Sequence, residues 1–121
     1  MLFYLSKYTT KLEITEAVQR DDPLGQTTYM AKALVHSETF FTEEHGSCTS
    51  KGVPQVLIVI TNGESHDKAT LDNVAQRLRS KGITTYAVGV EGANQNELLT
   101  MAGLPQKRVA EYMIISNRFY W

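Results

Sequence analysis

Five consecutive apolar residues, Val56-Leu57-Ile58-Val59-Ile60, follow Pro54 and precede the polar turn residues Thr61-Asn62-Gly63. An uninterrupted run dominated by β-branched side chains reads as a strand covered on both faces. A second run of this kind is Thr84-Thr85-Tyr86-Ala87-Val88-Gly89-Val90. Between the two, Leu71, Val74, Ala75 and Leu78 repeat at helical spacing, with Gln76, Arg77 and Arg79 on the opposite face and Gly82 as the stop. Strand, helix and strand with short connections form a βαβ unit, and two such strands imply a parallel sheet.

The remaining segments extend the alternation. Asn94 followed by Glu97 predicts a capping arrangement for a short helix carrying Leu98, Leu99 and Met101, closed by Gly103 with Pro105 beyond. A last strand is expected over 109–116. Upstream, Thr10 and Glu13 predict a capping box for a helix bearing Ile14, Ala17 and Val18, which ends in the breaker stretch Asp21-Asp22-Pro23-Leu24-Gly25. A longer helix is expected over 29–41, with Met30, Ala33, Leu34 and Phe41 inward. Residues 42–52 read as a loop, and Phe3-Tyr4-Leu5 as at most a short edge strand. The whole, residues 1–121, reads as a single domain of the doubly wound α/β class, with a mainly parallel sheet and helices on both faces.

Charge and cysteine content narrow the function classes. Twelve basic and 13 acidic residues give a net charge of -1 without a basic stripe, which argues against nucleic acid and against a polybasic membrane surface. Cys48 is the single cysteine, so no intrachain disulfide can form, and it reads as an incidental residue in a polar stretch. The opening Met1-Leu2-Phe3-Tyr4-Leu5 turns polar too soon for a signal peptide or a membrane span. No internal repeat, Gly-X-Y tract or Asn-X-Ser/Thr acceptor occurs.

In open α/β sheets ligands gather at the carboxyl ends of the strands, here the loop Thr61-Asn62-Gly63-Glu64-Ser65-His66-Asp67. Its oxygen-rich side chains could ligate a hard divalent cation such as magnesium. The plainer reading is a turn at Asn62-Gly63, with Ser65 or Asp67 capping the next helix. Catalytic readings find less support. His36, His45 and His66 have no nucleophile beside them, neither Gly-x-Gly-x-x-Gly nor a phosphate-binding Gly-Lys-Ser/Thr loop occurs, and Glu38, Glu43 and Glu44 read as a solvated helix end.

The stretch from Val53 to Asp67, an apolar strand followed by Thr61-Asn62-Gly63-Glu64-Ser65, resembles the metal-site strand and loop of von Willebrand factor type A domains, whose pattern is Thr-Asp-Gly-x-Ser. Residues 81–90 resemble the following strand, 97–103 the helix after it, and 3–11 the edge-strand-to-helix passage of members found in type VI collagen. The resemblance covers most of residues 3–108. It implies an extracellular-matrix adhesion module, not an enzyme, whose partners are matrix proteins such as collagens or cell-surface receptors. Complete members bind magnesium at a metal-ion-dependent adhesion site drawn from three loops. The match of residues 24–34 places the ligand threonine at Thr28, and the ligand aspartate falls on Asn62, an oxygen donor without charge.

The first element, Asp-x-Ser-x-Ser after a buried strand, has no counterpart here. The resemblance therefore implies a degenerate site, Thr28 and Asn62, insufficient for stable cation binding, so that no cofactor is expected. It also implies a partial domain without the first strand, first helix and second strand, as in a fragment, a truncated gene product or a splice form. Val56 to Ile60 would then lie beside an empty or substituted position, an aggregation liability unless something covers it. The end departs from the pattern as well, since 110–121 keep an apolar run but not the closing helix. Secretion into the matrix is implied for the parent protein. The competing expectations are a vestigial product without independent activity and a Rossmann-like enzyme.

Overall fold

The computed structural model describes residues 4–20, 27–90, 92–103 and 109–111. In chain order its elements are α1 (Lys11–Gln19), α2 (Met30–Glu38), β1 (Gln55–Thr61), α3 (Lys68–Ser80), β2 (Ile83–Gly89), α4 (Gln95–Ala102) and β3 (Val109–Glu111). All the strands pair parallel, in the order β1-β2-β3. From α2 onward helix and strand alternate, the α/β arrangement that the sequence predicts.

Local chemistry sets the helix ends. Thr10 and Glu13 form the expected capping box, with the Glu13 N–H donating to Thr10 Oγ1 at 3.3 Å and the Thr10 N–H to Glu13 Oε2 at 3.1 Å. Gly82 closes α3 with φ +79°, a left-handed conformation that costs a residue with a Cβ about 1 kcal/mol or more. α2 is shorter than expected, Met30–Glu38 rather than 29–41, and turns follow it because the Thr39 and Phe40 N–H groups already bond back to His36 and Ser37. Two short 3-10 turns, Glu43–His45 and Thr49–Lys51, occupy the segment expected to be a loop. Tyr4 and Leu5 form no strand, while Phe3, the breaker stretch 21–25 and the continuation of the last strand over 112–116 lie outside the described residues.

The core joins Met30, Ala31 and Leu34 of α2, Leu71 and Leu78 of α3, Ile83 and Ala87 of β2, and Leu98, Met101 and Ala102 of α4. The helical stripe predicted for α3 holds, as Leu71, Ala75 and Leu78 are buried and Val74 packs against the core. On α2 the inward alanine is Ala31, not Ala33, which is exposed. Ile14 and Val18 of α1 are exposed too.

The strand expected to be covered on both faces is covered on one. Along β1 exposure alternates, and Val56, Ile58 and Ile60 are 46%, 63% and 67% exposed. Along β2 the buried side chains Ile83, Thr85 and Ala87 share one face, and Tyr86 on the other is exposed. The cause is topological. β1 to β2 and β2 to β3 step the same way across the sheet, and crossovers of one handedness then set α3 and α4 on the same face. A doubly wound sheet covers its second face with crossovers stepping the opposite way, and none is found among the described residues.

Glu38 is not the solvated group expected. It joins α2 to the end of α3 through Lys81 and through Arg77 Nη2, 2.6 Å from Oε2. The Lys81 hydrogen bond, opposed by burial and aided by Arg77, holds its carboxyl below the usual range.

Candidate functional site

Three connections meet at the carboxyl end of the sheet: residues 27–29 before α2, 62–67 after β1, and those between β2 and α4. Thr61 of β1 accepts from the Val90 N–H at 2.8 Å, so the first residue beyond β2 is tied to the end of β1. Gly92, at φ +86°, lies so close that an added Cβ would meet the Asn62 carbonyl oxygen at 3.2 Å. Only glycine fits this approach without strain.

Thr28 and Asn62, the two candidate ligands, sit on adjoining loops. The Thr28 carbonyl accepts from the His66 N–H at 2.8 Å, and His66 Nδ1 lies 2.9 Å from the same oxygen. A carbonyl only accepts, so the ring carries its proton on Nδ1. Thr28 is half-buried and Asn62 exposed. No hydrogen bond joins their side chains among the described residues. Nor, among the described residues, do three or more His, Cys, Asp or Glu gather in a group able to hold a metal.

Asp67 stands at the N-terminal cap of α3 but does not cap it. Its carboxylate crosses to the start of α2, where Oδ1 accepts from the Ala31 N–H at 3.0 Å and Oδ2 from the Lys32 N–H at 2.9 Å. Ser65 Oγ accepts from the Met30 N–H at 3.1 Å and donates to Asp67. The preceding residue of α2, Tyr29, offers no side-chain cap, so the three N–H groups that open this helix are satisfied by a loop far along the chain. This corrects the expectation that Ser65 or Asp67 caps the next helix.

At α4 the expected Asn94 cap forms, while the Glu97 carboxylate is used elsewhere. Asn94 Oδ1 accepts from the Glu97 N–H at 3.2 Å, but the Glu97 carboxylate does not reach back to close the box. Instead Oε2 accepts from the Ser65 N–H at 2.9 Å, and Oε1 is buried without a hydrogen-bond partner. Asn94 Nδ2 donates to Glu64 Oε1 at 2.9 Å, a second tie between the same two loops. The sequence did carry a signal for Glu97. It lies one residue before Leu98 on the stripe 97, 98, 101, 102 that faces the core, where a carboxylate must find a partner.

Burial raises the Asp67 pKa, but hydrogen bonds from Ser65, Lys32 and Ala31 outweigh it, and the net position is below the ordinary aspartate range. A carboxyl depressed on folding binds protons more readily in the unfolded chain. Its stabilisation is complete above the unfolded pKa, about 3.9, and is lost as pH falls through the folded value. Urea unfolding between pH 7 and pH 3 is expected to show a shallower acid loss in Asp67→Asn than in the wild type; equal slopes would contradict this assignment.

The histidines have structural partners. His45 stacks on Tyr4 with ring centroids 4.0 Å apart, and its Nδ1 lies 3.0 Å from both Thr42 Oγ1 and the Thr39 carbonyl. Cys48 is exposed and free. Among the described residues no helix is long and apolar enough to cross a membrane.

The match that decides the family runs over residues 1–118, to the model of the von Willebrand factor type A domain. The chain belongs to that family. Among its relatives is the mouse collagen alpha-6(VI) chain, 55% identical over 107 residues that cover 88% of this chain and 5% of that one. Matrilin-3 of chicken is 37% identical over 105 residues, covering 85% of this chain and 23% of the matrilin. Among solved structures, proximal thread matrix protein 1 from the mussel byssus, with a zinc-occupied MIDAS motif, superposes with a TM-score of 0.83 at 27% identity. That alignment covers 93% of this chain and 28% of the mussel protein. This von Willebrand type A chain thus spans a small part of each relative's length. Its parallel sheet and alternating helices are those of the family fold, and its likeness to type VI collagen confirms the resemblance read from the 53–67 and 81–103 motifs.

Proposed function

We propose that this chain is a non-enzymatic, protein-binding module of the extracellular matrix whose adhesion site is degenerate and holds no resident cation. The observation that carries the reading is the fate of the charge in the loop after β1. Asp67 engages two α2 N–H groups, and the family's metal aspartate is replaced by Asn62. What remains for a cation is the Thr28 hydroxyl and a neutral amide, a poor donor set for a hard ion that demands six oxygens and prefers charged ones. The residues present therefore do not fit magnesium.

Its partners, on this reading, are matrix proteins such as collagens or cell-surface receptors, and the parent protein resides in the matrix. The likeness to collagen VI and matrilin chains supports both. Surface plasmon resonance over immobilised fibrillar collagen and collagen VI tests the role. Binding that survives EDTA is expected, while binding abolished by EDTA, or turnover of an ester or nucleotide by the pure chain, would overturn it. A cation present at a hundred times its dissociation constant stabilises a fold by about 2.7 kcal/mol, roughly ten degrees in a domain of this size. Millimolar magnesium or manganese is expected to leave the melting temperature unchanged, in the wild type and in Thr28→Ala alike. A clear rise that Thr28→Ala or Asn62→Ala removes would establish a working metal site.

A further inference from the structure

We propose that Asn62 is a site of spontaneous covalent modification, at which its side-chain amide is lost through a cyclic imide with Gly63 and the loop after β1 gains a carboxylate. Asparagine stands at 62, 73, 94, 96 and 117, and only Asn62 is followed by glycine. A glycine nitrogen carries no neighbouring Cβ to obstruct its approach, and its backbone turns more freely than any other. In the reaction the Gly63 backbone nitrogen gives its proton to water and bonds to Asn62 Cγ, while the Cγ–Nδ2 bond breaks and releases ammonia. Water then opens the imide ring at either carbonyl carbon, leaving aspartate or isoaspartate. One water is consumed and one ammonia released, with no oxidant, reductant or cofactor. Either product adds a negative charge to a chain of net charge -1. The chemistry is independent of what the loop binds.

The fold leaves the reacting groups open at Asn62 and holds them elsewhere. Asn62 and Gly63 form the bend directly after β1, where Asn62 is exposed and its side chain makes no hydrogen bond among the described residues. The Gly63 nitrogen lies 3.4 Å from Thr61 Oγ1, beyond the usual range for an N–H donor, so its proton is loosely held. Asn94, by contrast, uses both ends of its amide. Nδ2 donates to Glu64, and Oδ1 accepts from the Glu97 N–H, which is the nitrogen that would have to attack Asn96. Asn73 lies inside α3, where the helix ladder engages the N–H that follows it. Glycine at 63 is not demanded by conformation. Its φ is outside the left-handed region, and an added Cβ would meet nothing within 4 Å. Gly63→Ala therefore changes the chemistry and spares the fold.

Tandem mass spectrometry of the full 121-residue chain, kept folded at neutral pH and body temperature and digested at intervals, provides the test. Amide-to-acid conversion is expected at least about tenfold faster at Asn62 than at Asn73, Asn94 or Asn96, a barrier difference of roughly 1.4 kcal/mol. The products are expected to include isoaspartate, which direct hydrolysis of the side chain does not give. Gly63→Ala is expected to slow conversion at least about fivefold while melting as the wild type does. Conversion at Asn62 no faster than at the other three positions would overturn the proposal, as would aspartate formed without isoaspartate. So would a folded Gly63→Ala chain that converts at the wild-type rate.

Discussion

Replacing Asp67 by alanine is expected to destabilise the domain by about 2–4 kcal/mol, although the residue lies outside the hydrophobic core. Two N–H groups at the start of α2 lose a charged acceptor, and the Ser65 hydroxyl loses the group to which it donates. Asp67→Asn keeps one acceptor oxygen and is expected to fall between the wild type and Asp67→Ala. Urea unfolding at pH 7 measures both. A loss below about 0.5 kcal/mol in Asp67→Ala, the scale of ordinary surface substitutions, would remove this brace from the account.

The second large effect lies beneath the same site. Leu98 is fully buried, and truncation to alanine is expected to cost about 2–5 kcal/mol. Its neighbour on the strand beneath is Gly89, where an added Cβ would lie 2.5 Å from Leu98 Cδ1 and 2.9 Å from Ala93 Cβ. Gly89→Ala alone is expected to cost about 1–3 kcal/mol by overpacking. The two losses will not add, because the cavity left by Leu98→Ala accepts much of the methyl group that Gly89→Ala introduces. A thermodynamic cycle over the wild type, both single variants and the double variant measures the coupling, and strict additivity would show that the two positions do not share space.

Periodic signals and short-range ones were legible in the sequence. The α3 stripe, the Thr10 and Glu13 box, the Asn94 cap and the parallel pairing of 55–61 with 83–89 each depend on residues a few positions apart or on a repeated pattern. Ser65 and Asp67 were placed correctly on the chain and wrongly in their partners. A side chain that can cap its own helix looks the same in sequence as one that caps another, and the choice is made by which donor the tertiary fold brings nearer. Exposure of one face of β1 was hidden for a related reason. A run of β-branched residues reports what a strand is built to bury, while the crossovers around it decide what it does bury. In the loop after β1 the neutral Asn62 was plain in the sequence, whereas the diversion of Asp67 to α2 required coordinates.

That diversion also bears on when the helix appears as the chain is made. α2 has nine residues and no side-chain cap of its own, too short to persist alone in water, where helices below about 12–15 residues are marginal. Its closing groups, Ser65 and Asp67, lie 35 and 36 positions beyond the N–H groups they bind. On a translating ribosome the segment from Met30 to Glu38 therefore emerges as open chain and waits until β1 and the turn beyond it have cleared the exit tunnel. The helix that comes earlier in the sequence is completed by residues that arrive later.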